Sequence, residues 1–128
     1  MAPSVKILFA SAGPQTIDTV LRAFGSLLTD HILVVVSEFE PTGDAGGSTV
    51  EWIPYHPFRT LEENRILVRD RLRGRGIRLT AFILEPNTPH APLRKLALQI
   101  GLQSSPLQLL VYYETGDHFR LRPDSAHN

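Results

Sequence analysis

Short runs of apolar residues are the feature that most limits what this chain can fold into. Residues 32–36, 79–84 and 107–113 form runs with almost no alternation of polar and apolar side chains. A strand with one face in water alternates, whereas a strand of a parallel sheet covered on both faces is apolar almost throughout. The runs therefore predict a mostly parallel β-sheet with helices on both sides.

Helical signals lie between these runs. Apolar residues recur every three or four positions over 17–28, directly after Pro14, a residue suited to the first turn of a helix. Thr60 and Glu63 form a capping-box pattern, which opens a second helix that Gly74 is expected to close. Apolar residues at helical spacing over 93–102 predict a third helix.

Together these signals predict one α/β domain over residues 1–119, a three-layer Rossmann-like unit with element order β-α-β-β-α-β-α-β. We expect a mostly parallel five-stranded sheet in the order 3-2-1-4-5. The connection over 38–49 is barely long enough for a parallel crossover, so the direction of strand 50–55 stays open, and we expect it at the sheet periphery. Residues 120–128 are polar, and a frayed tail is predicted there.

The composition narrows the possible functions. The 128 residues have a formal net charge of zero, which creates no overall field for nucleic acid or anionic membrane, and they include no cysteine. Disulfides, thiolate metal sites and a cysteine nucleophile are therefore excluded. The five histidines stand singly, without metal-ligand spacing, so there is no metal motif and the cofactor is unknown. We find no secretory signal and no run near the roughly 18 apolar residues of a membrane span, so we expect a cytoplasmic protein.

Polar residues follow the first apolar run, at a point where parallel sheets bind ligands. Ser11, Gly13 and Thr16 lie where the first strand gives way to a helix, a position that holds phosphate in other α/β proteins. The segment matches neither the G-x-G-x-x-G pattern nor the Walker A pattern. The alternatives are a site for phosphate or sugar oxygens and an ordinary helix N-terminus.

Carboxylates follow strands two, four and five, and we expect them to converge on one rim of the sheet. Such groups accept hydrogen bonds from sugar hydroxyls, act as general bases or bind hard cations. The alternative is that they only cap nearby helix N-termini. The substrate-binding candidates are Glu38, Glu85, Asn87 and Glu114.

Two further features have competing interpretations. Asp117 precedes His118 and would orient it as a catalytic base. Arginines are concentrated over residues 65–78, which fits either a phosphate or nucleic-acid patch or an ordinary solvated helix face. No aromatic interleaving and no reader motif accompany them, so nucleic-acid binding is not expected.

Two stretches resemble bacterial glycosyltransferase-related proteins. One is residues 52–56 (WIPYH) with Arg59 and Asn64, and the other is residues 113–123 (YETGDHFRLRP). In that family the last strand ends in a phrase like Asn-Glu-Asn-x-Asp-His-Phe, followed by Leu-Arg-Pro. This chain departs from the phrase at Tyr113 and Thr115, where asparagine is expected.

The resemblance implies one Rossmann-like half of a two-domain, GT-B-like glycosyltransferase. Such a half would bind a sugar acceptor or a nucleotide sugar at the carboxyl edge of the sheet, and catalysis would require a second glycosyltransferase-like chain. Glu38, Glu85 and Glu114 would then bind acceptor hydroxyls, while Asp117 and His118 supply the base. The alternatives are a non-catalytic interaction or scaffold domain of the same fold and a small nucleotide- or flavin-binding protein.

Overall fold

The computed structural model describes residues 4–10, 12–84, 95–100 and 109–121. Within these ranges the chain forms six strands and three helices. The strands are β1 (Val5–Ala10), β2 (Ile32–Ser37), β3 (Val50–Pro54), β4 (Ile77–Leu84), β5 (Leu109–Tyr113) and β6 (His118–Leu121). The helices are α1 (Pro14–Gly25), α2 (Leu61–Arg71) and α3 (residues 95–100).

The strands form one sheet in the order β3-β2-β1-β4-β5-β6. Strands β1 to β5 are parallel to their neighbours, and β6 is antiparallel to β5. The direction of β3, which the sequence left open, is parallel to β2, and its predicted place at the sheet periphery is confirmed. The prediction of five strands was wrong, because β6 extends the sheet by one.

The sixth strand arises from a tight turn after β5. The amide of Tyr113 donates to the carbonyl of Asp117 at 2.8 Å, and the amide of Gly116 donates to the carbonyl of Tyr113 at 3.0 Å. Gly116 has a φ of +90°, a conformation that side chains with a Cβ rarely adopt. Strand β6 reaches Leu121, two residues beyond the predicted domain boundary, so the polar tail does not begin at Arg120.

The helices pack on opposite faces of the sheet, as the apolar runs predicted. All six residues of β1 are buried. Helix α1 covers one face through Val20, Leu21 and Phe24. Helices α2 and α3 cover the other through Val68, Leu96, Ala97 and Ile100, of which the last three belong to the predicted third helix. None of the helices in the described ranges is long and apolar enough to cross a lipid bilayer.

The predicted starts of α1 and α2 are confirmed, whereas α1 ends at Gly25, before the last residues of the apolar pattern over 17–28. Pro14 stands at the start of α1, next to the capping residue Gly13. The amide of Glu63 donates to the Thr60 hydroxyl, and the amide of Thr60 donates to the Glu63 carboxylate, both at 3.1 Å. Helix α2 ends at Arg71, slightly before the expected point, and Gly74 follows with a φ of +79°.

Candidate functional site

The carboxyl ends of β1 and β2 lie side by side, and the segments that follow them enclose a cavity of about 360 Å³. We call this cavity the carboxyl-edge cleft. The start of α1 forms one wall and the loop after β2 forms the other. The lining residues are Ala12, Pro14, Ile17 and Asp18 on the first side and Phe39, Glu40, Pro41 and Thr42 on the second.

A buried polar network sets the position of the loop wall. The Ser37 hydroxyl, at the end of β2, donates to the carbonyl of Phe39 at 2.7 Å. The indole N–H of Trp52 donates to the carbonyl and the hydroxyl of Ser37, each at 3.2 Å. Because Ser37 is held from two sides, the backbone leaves β2 in a defined direction. Phe39 follows with 76% of its surface exposed, so an apolar ring is left in water beside the cleft.

The loop then folds closely against α1. A Cβ atom built on Gly43 would lie 2.4 Å from the Oδ1 atom of Asp18, so a larger residue there would require the Asp18 side chain to move. Asp44, the next residue, lies 3.9 Å from Arg22 of α1 in an exposed ion pair. These contacts bring the carboxylates of Asp18 and Glu40 to the same cleft.

The chemistry of the cleft is acidic and apolar. Its described lining contains two carboxylates, two prolines and one phenylalanine, and no lysine, arginine or histidine. Gly13 caps α1 without a side-chain hydrogen bond, so amides of the first helical turn are left for water or a ligand. Pro14 has no N–H to contribute to this set.

Some predicted site residues lie at the carboxyl edge of the sheet, beside the cleft. Gly13 and Thr16 stand at the start of α1, and Glu38 is exposed directly after β2. Tyr55, just beyond β3, donates its amide to the carbonyl of Ser37 at 2.8 Å. Burial raises the pKa of the Tyr55 hydroxyl, and the negative charge of Glu38 raises it further. Ser11, Glu85 and Asn87 lie outside the described residues, so their convergence with Glu38 stays a prediction.

Glu114, Asp117 and His118 belong to the β5–β6 hairpin. Glu114 is exposed in the turn. The Thr115 hydroxyl donates to the Asp117 carboxylate at 3.2 Å. The ring of His118 stacks on Tyr112, with centroids 4.9 Å apart. In the described residues no hydrogen bond joins the Asp117 and His118 side chains, so the proposed orientation of a histidine base is not formed here.

The hairpin turn lies near the cleft nevertheless. A second cavity, of about 400 Å³, is lined by residues of the turn and of α1. Asp18 lines this cavity and the carboxyl-edge cleft, so one carboxylate adjoins both spaces. Sequence reasoning missed Asp18, Phe39 and Glu40 because it considered the residues immediately after strands. The available signal was a large apolar residue, Phe39, between acidic residues in a loop.

No metal centre is formed by the described residues. They contain no group of three or more histidine and carboxylate side chains that could hold an ion. The five histidines, which lack metal-ligand spacing in the sequence, also stay apart from such groups where the structure describes them.

Comparisons with protein families, with curated proteins and with solved structures found no match.

Proposed function

We propose that this chain is a Rossmann-like, glycosyltransferase-related domain that binds a sugar acceptor in the carboxyl-edge cleft. The observation that carries the proposal is the position of Phe39, an exposed aromatic ring that lines the same cavity as the carboxylates of Asp18 and Glu40. The strand order supports the Rossmann-like assignment, because the cleft lies beyond the carboxyl ends of two adjacent parallel strands.

A sugar fits this combination of groups better than other polar ligands do. The C–H face of a sugar ring packs on an aromatic side chain, and its hydroxyls donate hydrogen bonds to carboxylate oxygens. The exposed amides of the first turn of α1 supply donors for the ring and hydroxyl oxygens. A neutral glycan satisfies both kinds of partner without bringing a charge.

The same chemistry favours an acceptor over a nucleotide sugar. A diphosphate would bring two negative charges beside Asp18 and Glu40, and the described lining offers no cation to balance them. Pro14 also removes one amide from the helix start that would otherwise meet a phosphate. We therefore assign acceptor binding to this chain and nucleotide-sugar binding to a partner.

Catalysis belongs to the assembly in this proposal. The cleft is formed by segments of a single chain, and a second glycosyltransferase-like chain would close it and exclude water. Glu38, Glu85, Asn87 and Glu114 are proposed to surround the acceptor, and Asp117 and His118 would supply the base only in an assembly that brings their side chains together. Ser11, Gly13 and Thr16 are proposed to meet sugar oxygens.

Calorimetric titration with methyl glycosides of common hexoses and N-acetylhexosamines tests the proposal. We expect Phe39→Ala to weaken binding about five- to tenfold, as expected for a lost aromatic contact. Phe58→Ala is the matched control, because Phe58 is 101% exposed and lies outside the residues that line the cleft. Equal affinities in the two variants, or no heat with any glycoside, would refute acceptor binding at this cleft.

A protein interface is the second candidate function, and the two phenylalanines favour it. Phe39 and Phe58 lie on loops beyond the neighbouring strands β2 and β3, and both are largely exposed. A partner that covers this edge would bury both rings. Self-association measured by light scattering, or capture of a partner chain, would then be weakened by both variants, whereas sugar binding is weakened by Phe39→Ala alone.

A further inference from the structure

We propose that the chain has a second ligand site, which binds an organic anion carrying a small apolar group. The site is a cavity of about 350 Å³, which we call the basic cavity. It lies on the α1 face of the sheet, between the segment that ends α1 and strands β4, β5 and β6. The lining residues are Leu27, Leu28, Arg78, Leu79, Leu110, His118 and Arg120.

The inner part of this cavity is apolar. Leu110 of β5 is buried, and Leu27 and Leu79 are partly buried on the same face of the sheet. Helix α1 packs on the sheet through Phe24, whose ring meets the Tyr112 ring edge-on at 5.7 Å. Beyond that contact the leucines of α1's end and of the sheet face each other across open space. An apolar group that binds there is removed from water, and the favourable free energy of binding grows with the apolar area that becomes buried.

Cationic side chains stand around the apolar part. Arg120 of β6 lies directly opposite Leu110 of β5 in the strand register. On β4, Arg78 is the extra residue of a register shift, because Val5 pairs with Ile77 and Lys6 with Leu79. Such bulges redirect a side chain relative to a regular strand. The imidazole ring of His118, stacked on Tyr112, also lines the cavity.

These arginines have no anionic partner in the part of the chain that the structure describes. The ion pairs of the described residues involve neither Arg78 nor Arg120. Two guanidinium groups at one cavity repel each other, and an anion between them would relieve that repulsion while accepting charge-assisted hydrogen bonds. A phosphate or carboxylate group provides the matching geometry.

A second arginine-lined cavity, of about 220 Å³ beside α2, provides a useful contrast. There Arg65 is paired with Glu62, Arg73 with Asp70 and Arg75 with Glu51. Three of the cations at that cavity are thus already paired with carboxylates. The basic cavity differs because its two arginines have no carboxylate partner among the described residues and its floor is apolar.

The two halves of the basic cavity define the ligand. It carries one phosphate or carboxylate group for Arg78 and Arg120, and an apolar body for the leucines. The volume is within the range of small-molecule sites, about 300–1,000 Å³. The basic cavity is separate from the carboxyl-edge cleft, since the two share no lining residue, so this proposal does not depend on sugar binding.

Amide chemical-shift titration of the full chain tests this site with phenyl phosphate and hexanoate. We expect saturable shifts at Leu79, Leu110 and Arg120, and weaker binding at high salt because the contacts are ionic. Arg78→Gln and Arg120→Gln should each weaken binding about tenfold. Arg71→Gln is the matched control, because Arg71 is an exposed arginine of α2 outside the basic cavity.

Two further probes test the need for the charged group and for the apolar body of the ligand separately. Inorganic phosphate lacks the apolar body and hexanol lacks the charge, so both should bind at least about tenfold more weakly than phenyl phosphate and hexanoate. Equal binding of inorganic phosphate or of hexanol would overturn the assigned ligand class. No saturable shift with the organic anions, or identical shifts in the Arg120→Gln variant, would overturn the site.

Discussion

The Nζ atom of Lys6 lies 2.9 Å from the carbonyl oxygen of Gly25, and this hydrogen bond ties the first strand to the end of the first helix. Three further acceptors lie within hydrogen-bonding distance of the same nitrogen: the carbonyl of Leu28 at 3.1 Å, the hydroxyl of Ser48 at 2.7 Å and the carbonyl of Leu27. Its three N–H donors are therefore shared among four acceptors. A cation at a helix C-terminus is favoured by the helix dipole. Lys6 is fully buried, and burial lowers the pKa of its side chain, an effect that Asp30 partly opposes.

We predict that Lys6→Met lowers the free energy of unfolding by about 2–4 kcal/mol. Methionine fills similar space but removes the ammonium donor from the carbonyl of Leu27, while the carbonyls of Gly25 and Leu28 keep only the Ser48 hydroxyl and the His31 amide as donors. Urea unfolding followed by circular dichroism measures the loss. Lys95→Met is the control, because Lys95 is exposed on α3. A cost for Lys6→Met no larger than that of the control would contradict the structural role of this ammonium group.

Asn64 is expected to hold the segment after β3. This side chain is 1% exposed. It accepts from the His56 amide and donates to the His56 carbonyl, both at 3.0 Å. Asn64→Leu leaves the amide of His56 unpaired and its carbonyl with the Arg59 amide alone, and it should cost about 3 kcal/mol, with large shift changes at His56. Ile66→Ala, an exposed change in the same helix, should stay within about 0.5 kcal/mol. Similar melting temperatures for the two variants would argue against this role.

Gly25 is predicted to be required for the approach of the 43–49 loop to α1. A Cβ atom there would lie 1.9 Å from the carbonyl oxygen of Ala45, a backbone atom that cannot rotate away. Gly25→Ala should therefore destabilise the fold by about 3 kcal/mol. At Gly76 the nearest atom to an added Cβ is 3.4 Å away. Gly76→Ala is therefore the control, and thermal unfolding of both variants compares their losses of stability.

We predict that the buried hydroxyl of Tyr112 makes the fold less stable at alkaline pH. Burial raises the pKa of its hydroxyl to about 12, from 10.0. Between these values the unfolded chain loses the proton and the folded chain keeps it, so stability falls as pH rises through that window. The loss approaches about 2–3 kcal/mol near pH 12. Tyr112→Phe should remove this component, which unfolding titrations at pH 9 and pH 11 would detect. Parallel pH profiles for both proteins would show that the hydroxyl is not protected.

Much of the central sheet could be predicted from sequence alone. The predicted runs 32–36 and 79–84 lie within β2 and β4, because strands buried on both faces have a continuous apolar signature. The start of α2 was predictable because Thr60 and Glu63 form a local device that needs no distant partner. The burial of Lys6 within β1 could not be predicted, because it depends on where the end of α1 lies in the fold.

The parts of the fold and of the candidate sites that depend on contacts between residues far apart in sequence could not be predicted in the same way. Residues 118–121 contain two polar side chains and become a strand only by pairing with β5. The carboxyl-edge cleft unites Asp18 of a helix with Phe39 of a loop, and no sequence period connects these positions. The basic cavity depends on a register shift at Arg78, which pairing with β1 alone reveals.

The most direct test of sugar binding at the carboxyl-edge cleft is amide chemical-shift mapping with a methyl glycoside whose binding calorimetry has detected. We predict saturable shifts at Ala12, Ile17, Asp18 and Thr42. These shifts should be lost in Phe39→Ala and retained in Phe58→Ala. Shifts concentrated elsewhere on the chain, or shifts that persist in Phe39→Ala, would contradict sugar binding at the carboxyl-edge cleft.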